Sequence, residues 1–163
     1  MYQGLEIESR FLVSESFEAF VNVGLLDAEY DGFIADLDGA NAEGLVEPTN
    51  NDYLTPKYAP EMTASFGGTF TTELGDGELQ LFAKYSFVDE LYSITDNRDV
   101  GKIPSTEKID ASITFLKDSY KISLFGRNLT DEITSPVRDI SSLMIFGSPS
   151  VGTVYGITLS ANF

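Results

Sequence analysis

The sequence predicts an all-β fold: an antiparallel up-and-down transmembrane β-barrel segment of about seven strands. Three observations predict it. Seven stretches alternate apolar and polar residues with a period of two, and no helical stripe of comparable length appears. The links between the stretches alternate strictly between short and long. On the apolar side, aromatic residues gather at both ends of the stretches and aliphatic residues fill the middle.

The first stretch, Gly4 to Val13, sets Leu5, Ile7, Phe11 and Val13 against Glu6, Glu8 and Arg10. The second, Phe17 to about Asp27, sets Phe17, Ala19, Val21, Val23 and Leu25 against Glu18, Phe20, Asn22 and Gly24. In the third, Met62 to Thr72, the residues Met62, Ala64, Phe66, Gly68 and Phe70 oppose Thr63, Ser65, Gly67, Thr69 and Thr71. The fourth, Leu79 to Val88, opposes Leu79, Leu81, Ala83, Tyr85 and Phe87 to Gln80, Phe82, Lys84 and Ser86. The fifth has Ile109, Ala111, Ile113 and Phe115 opposite Asp110, Ser112 and Thr114. The sixth has Tyr120, Ile122, Leu124 and Gly126 opposite Lys121, Ser123, Phe125 and Arg127. The last runs to the end of the chain, with Tyr155, Ile157, Leu159, Ala161 and Phe163 opposite Gly156, Thr158, Ser160 and Asn162.

None of the apolar-side positions named above is Asp, Glu, Lys, Arg, Asn or Gln. A soluble β-sandwich would share that property, because its inner face is equally dry. Length favours the membrane: soluble strands run to about 5–6 residues, whereas a tilted strand crossing a bilayer needs about 9–11. The links Ser14 to Ser16, Glu73 to Glu78 and Lys117 to Ser119 are short, while Asp31 to Pro60, Asp89 to Lys108 and Thr130 to Gly152 are long. Outer-membrane barrels show this asymmetry, with short periplasmic turns and long outer loops. Phe11, Phe17, Phe70, Phe115, Tyr120 and Phe163 then mark the periplasmic girdle, and Tyr85, Phe87 and Tyr155 the outer one. The other face is expected to line a wet lumen, with Glu6, Glu8, Arg10, Glu18, Lys84, Asp110, Lys121 and Arg127 on it.

Composition excludes more than it assigns. The chain has 163 residues, one domain's worth or a piece of something larger, and a formal charge of -16 from 26 acidic and 10 basic side chains. The absence of Cys and His removes disulfides, thiolate nucleophiles, Ser-His pairs and His- or Cys-ligated metals. Enzymes needing only carboxylates, Lys or Tyr survive that filter, but with the barrel reading no enzyme, metal or cofactor role is expected. The acidic balance argues against nucleic acid as a partner. No apolar run of about 18 residues is present, and Met1 precedes neither a basic stretch nor an apolar one.

Parity adds an expectation. A single-chain barrel that starts and ends on the periplasmic side has an even number of strands. With Phe163 periplasmic, the first of seven stretches descends from the outer surface, so at least one strand is expected to precede it.

The runs Gly4-Leu5-Glu6-Ile7-Glu8, Gly24 to Tyr30, Ala59-Pro60-Glu61-Met62-Thr63, Phe125-Gly126-Arg127-Asn128-Leu129-Thr130-Asp131-Glu132 and Tyr155 to Phe163 together resemble the C-terminal part of TonB-dependent outer-membrane receptors. The resemblance covers nearly the whole chain. It implies the last seven or so strands of a 22-stranded barrel around an N-terminal plug, in the outer membrane of a Gram-negative cell. Such receptors import iron-siderophore complexes, cobalamin or other scarce solutes with energy passed through TonB. The implied partners are outer-membrane lipid, the remaining strands and plug, TonB through that plug, and the barrel-assembly machinery. This sequence has no plug and no TonB box, so residues 1–163 alone are not expected to transport. Tyr155, Gly156, Leu159 and Phe163 resemble the closing strand that serves as an assembly signal.

Weaker features have plainer readings. Asn128-Leu129-Thr130 fits a glycosylation sequon, but Asn128, Thr130 and Asp131 are expected to end the sixth strand through side-chain hydrogen bonds to the backbone. Gly75-Asp76-Gly77 and Lys117-Asp118-Ser119 are expected hairpin turns. The first long link holds Asp31, Asp36, Asp38, Glu43, Glu47 and Asp52, and the second Asp89, Glu90, Asp96, Asp99 and Glu107. These read as solvated acidic loops, with attraction of cations or lipopolysaccharide-bridging ions as the sharper alternative. Asp36-Leu37-Asp38-Gly39 lacks the closing Glu of a calcium loop. A complete eight-stranded barrel of structural or adhesive role is the other reading. It would need an eighth strand around Phe33-Ile34-Ala35.

Overall fold

A computed structural model describes residues 1–37, 44–135, 137–140 and 144–162. In chain order the strands are β1 (Tyr2–Ser14), β2 (Phe17–Ala28), β3 (Ile34–Ala35), β4 (Thr49–Asn50), β5 (Met62–Leu74), β6 (Gly77–Val88), β7 (Leu91–Tyr92), β8 (Lys102–Ile103), β9 (Thr106–Lys117), β10 (Tyr120–Arg127), β11 (Val137–Ile140), β12 (Ile145–Ser148) and β13 (Val154–Ala161). Seven form one antiparallel sheet, in the order β1-β2-β5-β6-β9-β10-β13. The other six pair as three small hairpins, one in each long link. Among the described residues no helix is long and apolar enough to cross a membrane.

The register puts like with like. Leu5 faces Leu25, Ile7 faces Val23, Phe17 faces Phe70, Phe66 faces Tyr85, Leu81 faces Ile113, and Leu124 faces Ile157. Directly opposed residues share a face, so the apolar positions of all seven strands make one continuous surface. One row of that surface runs Phe11, Ala19, Gly68, Ala83, Ala111, Gly126, Tyr155. It begins near the turn end of β1 and finishes beside the loop end of β13, the stagger that tilted strands of a barrel wall produce.

This apolar surface is uncovered. Leu5 is 56% exposed, Ile113 52%, Ile157 67% and Leu159 72%. A sandwich would have sealed these side chains against a second sheet. Keeping such a side chain in water forgoes about 1.5–3 kcal/mol of burial, so the surface calls for an apolar solvent rather than an aqueous one. Ring pairs mark its margins: Phe66 and Tyr85 lie 5.0 Å apart, and the Tyr85 hydroxyl finds the Glu107 carboxylate. A phenol on an apolar face needs such a polar partner at one end.

Several strand boundaries depart from the sequence expectation, and three of the departures have a local cause. β9 begins at Thr106 rather than Ile109, because Glu107 and Lys108 continue the ladder opposite Phe87 and Ser86. The link Glu73 to Glu78 tightens to Gly75-Asp76, since Glu73 pairs with Glu78 and Leu74 with Gly77. In β1 the register slips between Leu12 and Ser14, so Val13 does not simply extend the row of Phe11. The cause is the turn. Gly75 and Asp118 open the other two hairpins with φ of 65° and 51°, the left-handed start that two-residue hairpins favour. Glu15-Ser16 offers no such residue, and a bulge accommodates the chain instead, with the Ser16 N–H donating to Ser14 Oγ.

Candidate functional site

The face opposite the apolar one gathers the eight charged residues expected there. Glu6, Glu8 and Arg10 of β1 oppose Gly24, Asn22 and Phe20 of β2, and Glu18 opposes Leu12 and Thr69. Lys84 lies directly across from Asp110, and Lys121 across from Leu116 and Ser160. An open cleft of about 240 Å³ brings Glu6, Glu8 and Lys84 together with Asn22, Ser65 and Ser86. Arg10 pairs with Glu18 at 3.2 Å in an exposed ion pair of small energetic weight. Arg127 places its guanidinium 5.1 Å from the centre of the Phe125 ring.

Between the charges the face is stitched by hydroxyls and amides. Asn22 donates to Ser65 Oγ at 3.2 Å, and Thr114 and Ser123 share a hydrogen bond of 2.8 Å. Thr114 and Ser123 are 6% and 9% exposed, far below the apolar residues of the other face. In the middle of the central strands the polar side is therefore the more enclosed one, while Glu6, Glu8, Arg10, Glu18, Lys121 and Arg127 on the same face are exposed. Phe20 and Phe82 stack across it at 6.4 Å with planes 14° apart. The ring of Phe20 lies over Gly67, where a Cβ would stand 3.0 Å from Cζ.

The loop ends form a second layer. Leu54, Pro56, Ala59 and Ile103 are buried there, together with the polar Asn51 and Ser93. Two long links are joined: Asn97 accepts from the Thr55 N–H at 2.6 Å and donates to the Thr55 carbonyl at 3.0 Å, while the Tyr58 N–H donates to the Tyr92 carbonyl. Asn51 donates to the carbonyls of Ala35 and Thr49 and so holds the β3–β4 hairpin. That hairpin stands apart from the large sheet, so Ile34–Ala35 is not an eighth strand of it. Asn97 and Asn51 carry no periodic signal; only the left-handed φ of 50° at Asn97, which Asn tolerates, matches a turn preference visible in sequence.

In the third link Asn128, Thr130 and Asp131 end β10 as expected. Asn128 donates its side-chain amide to the carbonyls of Glu132 and Val151 at 2.9 and 3.1 Å. Its Oδ1 accepts the Glu132 N–H at 3.0 Å, and its backbone N–H donates to Asp110 at 2.8 Å. Thr130 Oγ1 donates to the Glu107 carbonyl, and Asp131 accepts the Thr153 N–H.

Acidic loop side chains are spread out, and among the described residues no three of them are placed to hold a metal ion. Asp38, Gly39 and Glu43 lie outside the described residues. Asp52 instead holds the backbone: it accepts the Phe33 N–H at 2.6 Å and the Asn50 amide at 3.0 Å. The Phe33 amide, followed by Asn50, holds its carboxyl below the ordinary value of 3.8. A lowered folded-state pKa gives stability that is present above 3.8 and lost as pH falls through the folded value. Exchange protection of the Phe33 amide is therefore expected to persist at about pH 5 and to fall on acidification below 3.8. Amide exchange followed from about pH 5 to about pH 2 checks this, and unchanged protection at the acid end would contradict it. Lys102 runs the other way: Glu90, at 2.7 Å, raises its pKa, so that contribution is lost only in alkali.

The closing strand places Tyr155 and Leu159 on the apolar face and Gly156 on the polar one, opposite Phe125. Phe163 lies outside the described residues. Gly156 has a local reason to lack a side chain, because a Cβ there would overlap the Phe125 ring.

No family model matches the sequence. Among solved structures, the ferric yersiniabactin uptake receptor FyuA from Yersinia pestis is similar over 99% of this chain, with a TM-score of 0.78 and 16% identity. The chain spans 23% of the length of that receptor. The chain thus has the fold of a seven-stranded antiparallel barrel segment, as found within an uptake receptor.

Proposed function

We propose that this chain is the C-terminal part of a TonB-dependent receptor barrel in the outer membrane of a Gram-negative bacterium, importing iron-siderophore complexes or a similarly scarce solute. The carrying observation is the uncovered apolar face on a single sheet whose opposite face carries the charged and hydroxyl side chains. Lipid against the first face and a wet interior against the second meet both needs. In this reading Glu6, Glu8, Arg10, Glu18, Lys84, Asp110, Lys121 and Arg127 line the lumen, and the three long links face outward. Tyr155, Gly156, Leu159 and Phe163 form the strand that the assembly machinery reads. Further strands and a plug complete the barrel, and the plug receives the energy from TonB. The similarity to a siderophore uptake receptor supports the solute class. A self-contained eight-stranded barrel fits less well, because β1 and β13 are the two edges of the sheet and do not pair with each other.

The test is uptake of radiolabelled iron presented on a panel of siderophores to iron-starved cells that lack their own receptors. The gene encoding the whole protein is expected to confer uptake on at least one chelate, and deletion of TonB to abolish it. Outer-membrane protein that confers no uptake across the panel, or uptake indifferent to TonB, overturns the transport reading.

A further inference from the structure

The pair β10–β13 is joined by a long link, so no tight turn sets its register, and a slip of two residues would keep every side chain on its own face. Asn128, Asp131 and Thr153 tie the two strands at their loop ends, and a second contact within the sheet distinguishes those alternatives. The geometry points to a reciprocal clamp made by two adjacent cross-strand pairs, Phe125 with Gly156 and Gly126 with Tyr155, as the device that fixes the register of this hairpin.

The two pairs are neighbours in the ladder and point to opposite faces. On the polar face the Phe125 ring of β10 occupies the space above Gly156 of β13, where any Cβ would overlap it. On the apolar face the relation is reversed. The Tyr155 ring of β13 lies beside Gly126 of β10, with Cε1 3.2 Å from where a Cβ would stand, and Leu129 Cδ2 closes the same gap at 2.6 Å. Each strand thus offers one ring and one gap, and the rings sit on both sides of the same backbone step. A two-residue slip would set Phe125 opposite Val154 or Thr158 and Tyr155 opposite Leu124 or Asn128. Every one of those residues carries a side chain where the native partner is a glycine, a strict overlap for the Phe125 ring and a tight contact for the Tyr155 ring. The aliphatic pairs discriminate less: a slip one way sets Ile122 opposite Ile157, and a slip the other way sets Leu124 opposite Leu159. Arg127 places its guanidinium over the Phe125 ring and helps hold it in place.

The clamp gives Gly156 a positioning role separate from recognition by assembly factors. Residues 1–163 contain no native cysteine, so with any cysteine elsewhere in the full-length protein replaced, register can be read by disulfide trapping. Lys121 and Ser160 are exposed and directly opposed. In the full-length protein in outer membranes, Lys121→Cys is paired in turn with Ser160→Cys, Thr158→Cys and Asn162→Cys, the last two reporting two-residue slips. The Ser160 pair is expected to cross-link with about tenfold preference, the order of discrimination that one overpacked contact supplies. Phe125→Gly, which empties the ring position, and Gly156→Phe, which sets two rings against each other, are each expected to reduce that preference to about threefold or less, or to abolish folded protein. The combined swap, Phe125→Gly with Gly156→Phe, places a ring of one strand over a gap of the other again and is expected to restore the native pattern. A general packing defect would not be repaired by transposing the residues. Single variants that keep the tenfold preference, or a swap no better than the worse single variant, overturn the clamp.

Discussion

Ile113→Arg is expected to remove the folded protein from the outer membrane, while Glu8→Arg leaves it in place. Ile113 lies near the middle of β9 on the apolar face, between Leu81 and Leu124, and is 52% exposed. Its neighbours give a guanidinium no counter-charge, and the strand ends are too far for the side chain to reach water easily. An arginine at the mid-plane of a membrane barrel costs about 2–4 kcal/mol, a large share of the roughly 5–15 kcal/mol that holds an ordinary domain together. Glu8 is exposed too but sits on the polar face among Asn22, Ser65 and Lys84. A basic side chain there meets water and the carboxylate of Glu6, so its effect is expected within about 0.5 kcal/mol. Heat-modifiable mobility of protein extracted from outer membranes reads both variants. Equal amounts of folded Ile113→Arg and parent protein would mean that the apolar face does not touch lipid.

The same contrast explains what the sequence discloses and what it withholds. Alternation is legible because each strand carries one apolar and one polar face, and a charge at Ile113 or Leu124 would stand among apolar side chains. Hairpin turns are legible at Gly75 and Asp118, where a left-handed residue starts the turn. The slip at Leu12–Ser14 is not legible, since Glu15-Ser16 carries no turn signature and the bulge arises from the mismatch between strand twist and turn. The start of β9 is obscured for a different reason: Glu107 on the apolar side breaks the pattern, although its contact with Tyr85 shows a polar end point of the band. The loop layer is hidden altogether. Its hydrogen bonds join Thr55 to Asn97 across 42 residues of sequence, and nothing periodic announces Leu54, Pro56, Ala59 and Ile103 as a core. The rings over Gly67, Gly68 and Gly156 are visible in sequence only as alternation; their pairing follows from register, which no single strand contains.

Asn128→Ala is expected to release the base of the third link without dissolving the sheet. Asn128 is 7% exposed, and its side chain serves three polar backbone groups, the N–H and carbonyl of Glu132 and the carbonyl of Val151. Leaving such groups without partners costs about 1–3 kcal/mol. Its φ of 52° adds a second cost, because a residue with a Cβ other than Asn or Asp resists the left-handed region by about 1–2 kcal/mol. The two costs separate by substitution. Asn128→Gly keeps the backbone angle and loses every side-chain bond, so it isolates the hydrogen-bond contribution. Asn128→Asp keeps the acceptor for the Glu132 N–H but turns two donations into repulsion between the carboxylate and the carbonyls of Glu132 and Val151. The Thr153 hydroxyl, which donates to the Asn128 carbonyl at 2.8 Å, and the Asp131 carboxylate, which accepts the Thr153 N–H at 2.9 Å, keep part of the base closed in all three variants. Exchange of the Glu132 amide should therefore accelerate by about tenfold or more in Asn128→Gly and further in Asn128→Ala, while amides in the middle of β10 keep their protection. If Asn128→Ala matches the parent protein at Glu132, the bonds that end β10 contribute nothing to the order of the link; if Gly and Ala agree with each other, the left-handed backbone at this position carries no cost.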